Sequence, residues 1–170
     1  VFVDAAGKAK LVQSTLPTLT FGLRFLDADF DGYQDLILAN GHIEPEINSV
    51  QKEITYQQTS QLFWNSGSGR MVDISEDSGP FFLEEIVARG LSAGDVDGDG
   101  DLDVLMTTNG GRAYLLRNDG PTGKAIAIKL RSQGGNKRAI GALVSVTSRE
   151  RTQTQMVRTG SSYLSHSPLE

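Results

Sequence analysis

At 170 residues and 18.3 kDa, with 38% apolar and 22% charged residues, the chain suits one ordinary domain or two small ones and can bury a core of its own. It has no run of 18 apolar residues to cross a membrane as a helix and no signal-peptide pattern at its start. It also has no cysteine, which excludes disulfide frameworks, thiolate zinc sites and thiol nucleophiles together. The net charge of −5 is unevenly divided, since residues 1–123 carry 8 Lys/Arg against 19 Asp/Glu and residues 124–170 carry 8 against 2, so two units are predicted.

Nineteen glycines imply many tight turns and short strands rather than a helical bundle. In chain order the first landmarks are Val3-Asp4, Leu23 and the acidic run Asp27-Ala28-Asp29-Phe30-Asp31-Gly32-Tyr33-Gln34-Asp35. The apolar run Leu36–Ala39, then Asn40-Gly41 and Leu62-Phe63-Trp64-Asn65, completes the first unit. The same landmarks return 68 to 69 residues later as Val72-Asp73, Leu91, Asp95-Val96-Asp97-Gly98-Asp99-Gly100-Asp101-Leu102-Asp103, Val104–Thr107 and Asn109-Gly110. Asn65 and Asn118 are only 53 apart, so the first copy carries an insertion of about 16 residues within 42–61, read as a surface loop. The repeats are placed at about 1–69 and 70–120, with a boundary turn at Asn118–Gly123.

Leu36–Ala39 and Val104–Thr107, bounded by Gly, Asn and Asp, read as strands buried on both faces. Pro80–Leu91 fits either a short helical turn around Leu83, Ile86 and Val87 or a loop holding Phe81 and Phe82 against the core. In the basic tail Ile126, Ile128 and Leu130 alternate, as do Ala142, Val144 and Val146, with Gly134-Gly135-Asn136 as the turn between them, which describes a hairpin or a small β-sandwich. The tail is expected to dock on the repeats by burying these apolar residues rather than by charge. Its cations are scattered singly without interleaved aromatics, which excludes a phosphate-tracking nucleic-acid groove.

The chemistry lies in the two aspartate loops, which hold nine of the thirteen Asp residues in eighteen positions. Carboxylates crowded in this way repel one another, and a hard divalent cation with six to eight oxygen places relieves the repulsion. Alternate spacing turns positions 1, 3 and 5 inward, glycine at position 6 allows the sharp bend, position 7 offers a carbonyl and position 9 closes the shell. The predicted ligands are Asp27, Asp29, Asp31, the Tyr33 carbonyl and Asp35 in loop one, and Asp95, Asp97, Asp99, the Asp101 carbonyl and Asp103 in loop two. Position 12 is Leu38 or Met106 instead of the Glu of a helix-flanked calcium loop, so these loops join strands. Calcium suits them better than magnesium, which keeps several waters, and two Ca²⁺ are expected, one per loop. His42, beside Glu44 and Glu46, is read as a local hydrogen-bonding group in preference to a metal or acid–base residue. Trp64 and Phe63 are read as blade core, and Tyr163 as a packed corner residue.

The D-x-D-x-D-G-x-x-D loops, each followed by an apolar strand and a later L-x-x-N, resemble the FG-GAP/VCBS repeats of integrin-type β-propellers. Asn40–Ile43, Arg89-Gly90-Leu91 and Leu115–Asp119 are similar to the terminal repeats of ASPIC/UnbV-containing proteins, bacterial secreted proteins related to cartilage acidic protein. The tail segments Asn136–Val146, Arg151–Gln153 and Gly160–Ser165 are similar to the ASPIC/UnbV domain itself, although its closing apolar strand is absent. The resemblance implies an all-β fold: two β-propeller-type blades with calcium loops over 1–120, then a small β-rich C-terminal domain over 121–170. Two blades cannot close a ring of four to eight, so a piece of a longer propeller with open, self-associating blade edges is expected. The function so implied is a calcium-binding, non-enzymatic extracellular, periplasmic or cell-surface module for protein or carbohydrate interaction. The alternative is part of a calcium-dependent lyase or hydrolase acting on polysaccharide.

Overall fold

The computed structural model describes residues 1–120, 126–148 and 151–168. Its strands are β1 (Thr20–Leu26), β2 (Asp35–Asn40), β3 (Gln58–Thr59), β4 (Gln61–Asn65), β5 (Met71–Asp73), β6 (Glu85–Ile86), β7 (Ala88–Gly94), β8 (Asp103–Thr108) and β9 (Tyr114–Leu116). In the C-terminal region follow β10 (Leu143–Ser148), β11 (Arg151–Met156), β12 (Gly160–Ser162) and β13 (Ser165–His166). Helix is confined to α1 (Val12–Thr15), α2 (Ile47–Val50) and two short 3₁₀ turns, so the fold is all-β, and no described helix is long and apolar enough to cross a membrane.

Each acidic loop joins the first two strands of an antiparallel sheet. The first sheet runs β1-β2-β4-β5 and the second β7-β8-β9. The apolar residues of β1, β2, β7 and β8 that face each other form the main core, with Leu26, Ile37, Ala39, Leu91, Ala93, Val104 and Met106 buried together and Phe82 over one end. Leu36, Leu38 and Phe63 make a smaller core on the opposite face of the first sheet under Leu11 and Met71. Covered on both sides, β2 is buried at all six positions, as its unbroken apolar run predicts. The matching expectation for β8 is corrected: Leu105 is 45% exposed and Thr107 is exposed, because among the described residues nothing covers that face.

β5 pairs with β4 through Trp64↔Val72, so Val72-Asp73, which by repeat spacing opens the second unit, is the outer strand of the first sheet. The 42–61 insertion is a largely exposed excursion pinned by buried Ile47, and its last residues form β3, which pairs with β6. Pro80–Leu83 is a 3₁₀ turn that buries Phe82.

The edge strands β1 and β7 pass close together. A Cβ on Gly22 would lie 2.8 Å from both the Arg89 carbonyl oxygen and Leu91 Cβ, so only glycine admits this approach. The C-terminal region departs most from expectation. Ile126–Leu130 forms no strand, and β10 pairs instead with β11 from Leu143↔Met156 to Ser148↔Arg151. Thr and Ser ladders explain the choice: Ser145 meets Thr154 at 2.8 Å and Thr147 meets Thr152 at 2.9 Å across the pair. Pro121–Gly123 of the expected boundary turn lies outside the described residues.

Docking of the tail is polar, which corrects the expectation of apolar burial. Ile126 and Leu143 are exposed and Val144 and Val146 only half-buried. Instead, a serine-rich hairpin, β12-β13, lies along the free edges of β1 and β7. Ser162 Oγ accepts from Leu23 N at 2.9 Å, Ser165 Oγ from Leu91 N at 3.0 Å and Ser167 Oγ from Ala93 N at 3.1 Å. Ser167 Oγ also accepts from Arg24 at 2.9 Å, while Tyr163 meets Phe21 edge-on with ring centres 5.0 Å apart.

Candidate metal centre

The two aspartate loops share most of their internal hydrogen bonds, although Gly98 N also donates to Asp95 Oδ1 at 2.7 Å in loop two alone. Asp27 Oδ2 accepts from Gly32 N at 2.9 Å, and Asp95 Oδ2 from Gly100 N at 3.1 Å. Asp29 accepts from Asp31 N and Asp31 from Tyr33 N; Asp97 accepts from Asp99 N and Asp99 from Asp101 N. These side-chain to backbone bonds coil the chain so that alternate carboxylates face inward. Position 4 has positive φ in both loops, 60° at Phe30 and 84° at Gly98. The conformation costs a non-glycine residue roughly 1–2 kcal/mol, so loop one is held in a shape that loop two adopts freely.

The closing aspartates have a structural task of their own. Asp35 takes Ala28 N on one oxygen at 3.0 Å and Asn65 N on the other at 2.8 Å. Asp103 takes Val96 N at 2.9 Å and Asn118 N at 2.9 Å in the same manner. Both carboxylates are 2% exposed, and each ties its loop to the end of the third strand of its sheet. The clamp needs only a backbone N–H; the recurring asparagines also turn the chain there, Asn65 Oδ1 accepting from Gly67 N at 3.0 Å and Asn118 Oδ1 from Gly120 N at 3.1 Å.

In loop one, Asp27, Asp29 and Asp35 each offer an oxygen within 4.8 Å of the others, and in loop two Asp95, Asp97 and Asp99 do so. The carboxylate of Asp31 stands outside the first threesome, and those of Asp101 and Asp103 outside the second. Two buried oxygens, Asp27 Oδ1 and Asp101 Oδ1, have no hydrogen-bond partner among the described residues. An unpartnered buried carboxylate oxygen is costly and is satisfied by a cation, so the donor set fits a hard divalent ion.

The acidity of these groups is perturbed in the same sense. Burial raises Asp27 and Asp35 above the usual carboxylate range, against the pull of their backbone donors, and the neighbouring carboxylates raise them further. Burial and then Asp99 push Asp101 up to about 6, although its side chain stands at a position expected to give only a carbonyl. The field of the acidic neighbours therefore takes in a fifth carboxylate in loop two.

Sequence reasoning missed three partners of loop one. The Trp64 indole Nε1 donates to Asp29 Oδ2 at 2.9 Å, so this side chain belongs to the loop as well as to the blade. Arg151 lies over the Tyr33 ring, 3.8 Å from its centre, and donates to the Asp31 carbonyl. Asn118 Nδ2 donates to the Ala28 carbonyl at 3.0 Å, joining the second unit to loop one. His42 Nδ1 accepts from Glu44 N at 3.0 Å, and Arg89 holds the His42 carbonyl at 2.8 Å.

Short antiparallel sheets, each opened by an acidic loop and packed with inner edges adjacent, define a β-propeller-type repeat protein. The FG-GAP-like repeat family matches residues 27–106, from the first aspartate of loop one into β8, and the ASPIC and UnbV family matches residues 132–170. The chain thus joins a region similar to FG-GAP-like repeats to a C-terminal region similar to the ASPIC/UnbV domain. No curated protein and no solved structure matches it.

Proposed function

We propose that the chain is a calcium-stabilised, non-enzymatic interaction module of an extracellular protein, binding one Ca²⁺ in each acidic loop and presenting its blades to a protein or carbohydrate partner. The observation that carries this reading is the convergence of three carboxylates in each loop, Asp27, Asp29 and Asp35 in the first and Asp95, Asp97 and Asp99 in the second, with the buried Asp27 Oδ1 left without a hydrogen-bond donor among the described residues. Asp27, Asp29 and Asp35 would hold the first ion with Asp31 and the Tyr33 carbonyl completing its shell. Asp95, Asp97 and Asp99 would hold the second with the Asp101 carbonyl and Asp103. The ion supplies positive charge where several carboxylates meet, and the match to FG-GAP-like repeats suits an extracellular setting, where millimolar calcium makes weak sites useful.

With dissociation constants around 10⁻⁴–10⁻³ M, millimolar calcium contributes about 0.4–1.4 kcal/mol per site. Titration calorimetry should show two sites, and a chelator should lower the melting midpoint. No heat with calcium and an unchanged midpoint under chelation would overturn the reading.

A further inference from the structure

Loop one gathers Asp27, Asp29, Asp31 and Asp35, and among the described residues neither ion pair involves any of them. The cation that does lie on this loop comes from 120 residues away. Arg151, the first residue of β11, stacks on Tyr33 and donates to the Asp31 carbonyl, the peptide oxygen that leads into the bend. The fit is close: a Cβ on Gly32, which has φ +83°, would fall 2.3 Å from Arg151 Nη1 and 3.0 Å from Gln153 Nε2. Loop two lacks this platform, since Asp101 replaces Tyr33, and Arg117 beside it is engaged by Asp119 at 2.8 Å.

We propose that Arg151 and the divalent cation of loop one are antagonists, so that the guanidinium docks the β10-β11 hairpin on the cation-free loop and filling the loop weakens that docking. The proposal rests on the calcium reading above and adds a direction to it. A guanidinium is always charged, and here it stands on the same short turn that would enclose a second positive centre. The attraction of four carboxylates for Arg151 is strongest when no ion neutralises them. Linkage makes the effect reciprocal: a docked Arg151 lowers cation affinity at loop one by the same factor by which the cation loosens the hairpin. The serine contacts of β12-β13 lie on the strand edges and involve no loop oxygen, so they hold the rest of the tail in either state.

Trp64, the chain's one tryptophan, is hydrogen-bonded to Asp29 and so reports on loop one alone. The experiment titrates the full chain and Arg151→Gln with calcium, following Trp64 fluorescence for loop one and calorimetry for both loops. Hydrogen exchange of β10-β11 is then compared with and without calcium. Arg151→Gln should tighten loop one by about threefold or more, the size of one unit charge a few ångströms away in a water-like dielectric, and leave loop two unchanged. Added salt should shrink that difference, and calcium should quicken exchange in β10-β11 of the parent but not in 160–168. Calcium binding with equal or weaker loop-one affinity in Arg151→Gln, or slower β10-β11 exchange with calcium, would overturn the antagonism while sparing the calcium reading. No calcium binding by either chain would overturn both.

Discussion

Among single residues, Asp103 and Asp101 are two positions apart and are expected to act on stability in opposite directions. Asp103 accepts two backbone donors while 2% exposed, so Asp103→Ala strands Val96 N and Asn118 N. The expected loss is about 2–4 kcal/mol in cation-free protein, read by denaturant unfolding. Asp101 has an unpartnered buried oxygen and a pKa raised to about 6 in the folded chain, above the ordinary carboxylate value it has when unfolded. The folded state therefore holds the Asp101 proton more tightly, and this residue's contribution to stability falls as pH rises from about 4 to 6. Under chelator, Asp101→Asn should raise the melting midpoint at pH 7 and reduce the fall between pH 5 and pH 7. An unchanged pH profile would show that the carboxylate is solvated after all. Calcium should also change Trp64 emission, and Asp29→Asn should abolish that change while loop two still gives heat.

Among elements, the two loops share a hydrogen-bond pattern but differ in stiffness and charge. Phe30 fixes a positive φ that Gly98 adopts without strain, whereas Asp101 adds a carboxylate that Tyr33 lacks. Rigidity favours loop one and charge favours loop two, so affinities within about tenfold are expected. Asp31→Asn should weaken only loop one and Asp99→Asn only loop two. Loss of both sites from either change would reveal one binuclear centre. Much of this was legible in the sequence, because alternate aspartates with glycine at position 6 permit little besides an inward-facing coil, and the run Leu36–Ala39 marks a strand covered on both faces. The second job of Asp35 and Asp103 was hidden, since a carboxylate reads as a ligand whether or not backbone donors already occupy it. The β10-β11 pairing was also hidden. Alternation in Ile126, Ile128 and Leu130 resembled a partner strand, but the Thr and Ser cross-strand bonds of Arg151–Met156 prevailed.

For the whole molecule, the division between an acidic front and a basic tail is real in composition, yet it does not act through paired surface charges. Among the described residues the only ion pairs are Arg112–Glu84 at 3.7 Å and Arg117–Asp119 at 2.8 Å, both within the repeats. Serine hydroxyls on backbone N–H groups carry the docking of 160–168, a pattern invisible to hydropathy or charge reading because serine is neutral in both. These hydroxyls occupy donors on β1 and β7 that would otherwise offer free edges to another chain. Replacing Ser162, Ser165 and Ser167 together by alanine should promote concentration-dependent self-association, measured by sedimentation. A triple variant that stays monomeric with unchanged exchange at Leu23, Leu91 and Ala93 would show that the edges are protected by something else.

The bond from Leu23 N to Ser162 Oγ spans 139 residues of sequence. A ribosome adding about 5–20 residues per second completes Leu23 roughly seven to thirty seconds before Ser162 exists. Throughout that interval the nascent first sheet has an open edge, and the hydroxyl that covers it is among the last parts of this sequence to be made. Slow closure of so long a loop makes this the step at which chaperone binding would matter most, and at which slowed elongation between β9 and β12 would lengthen the exposure.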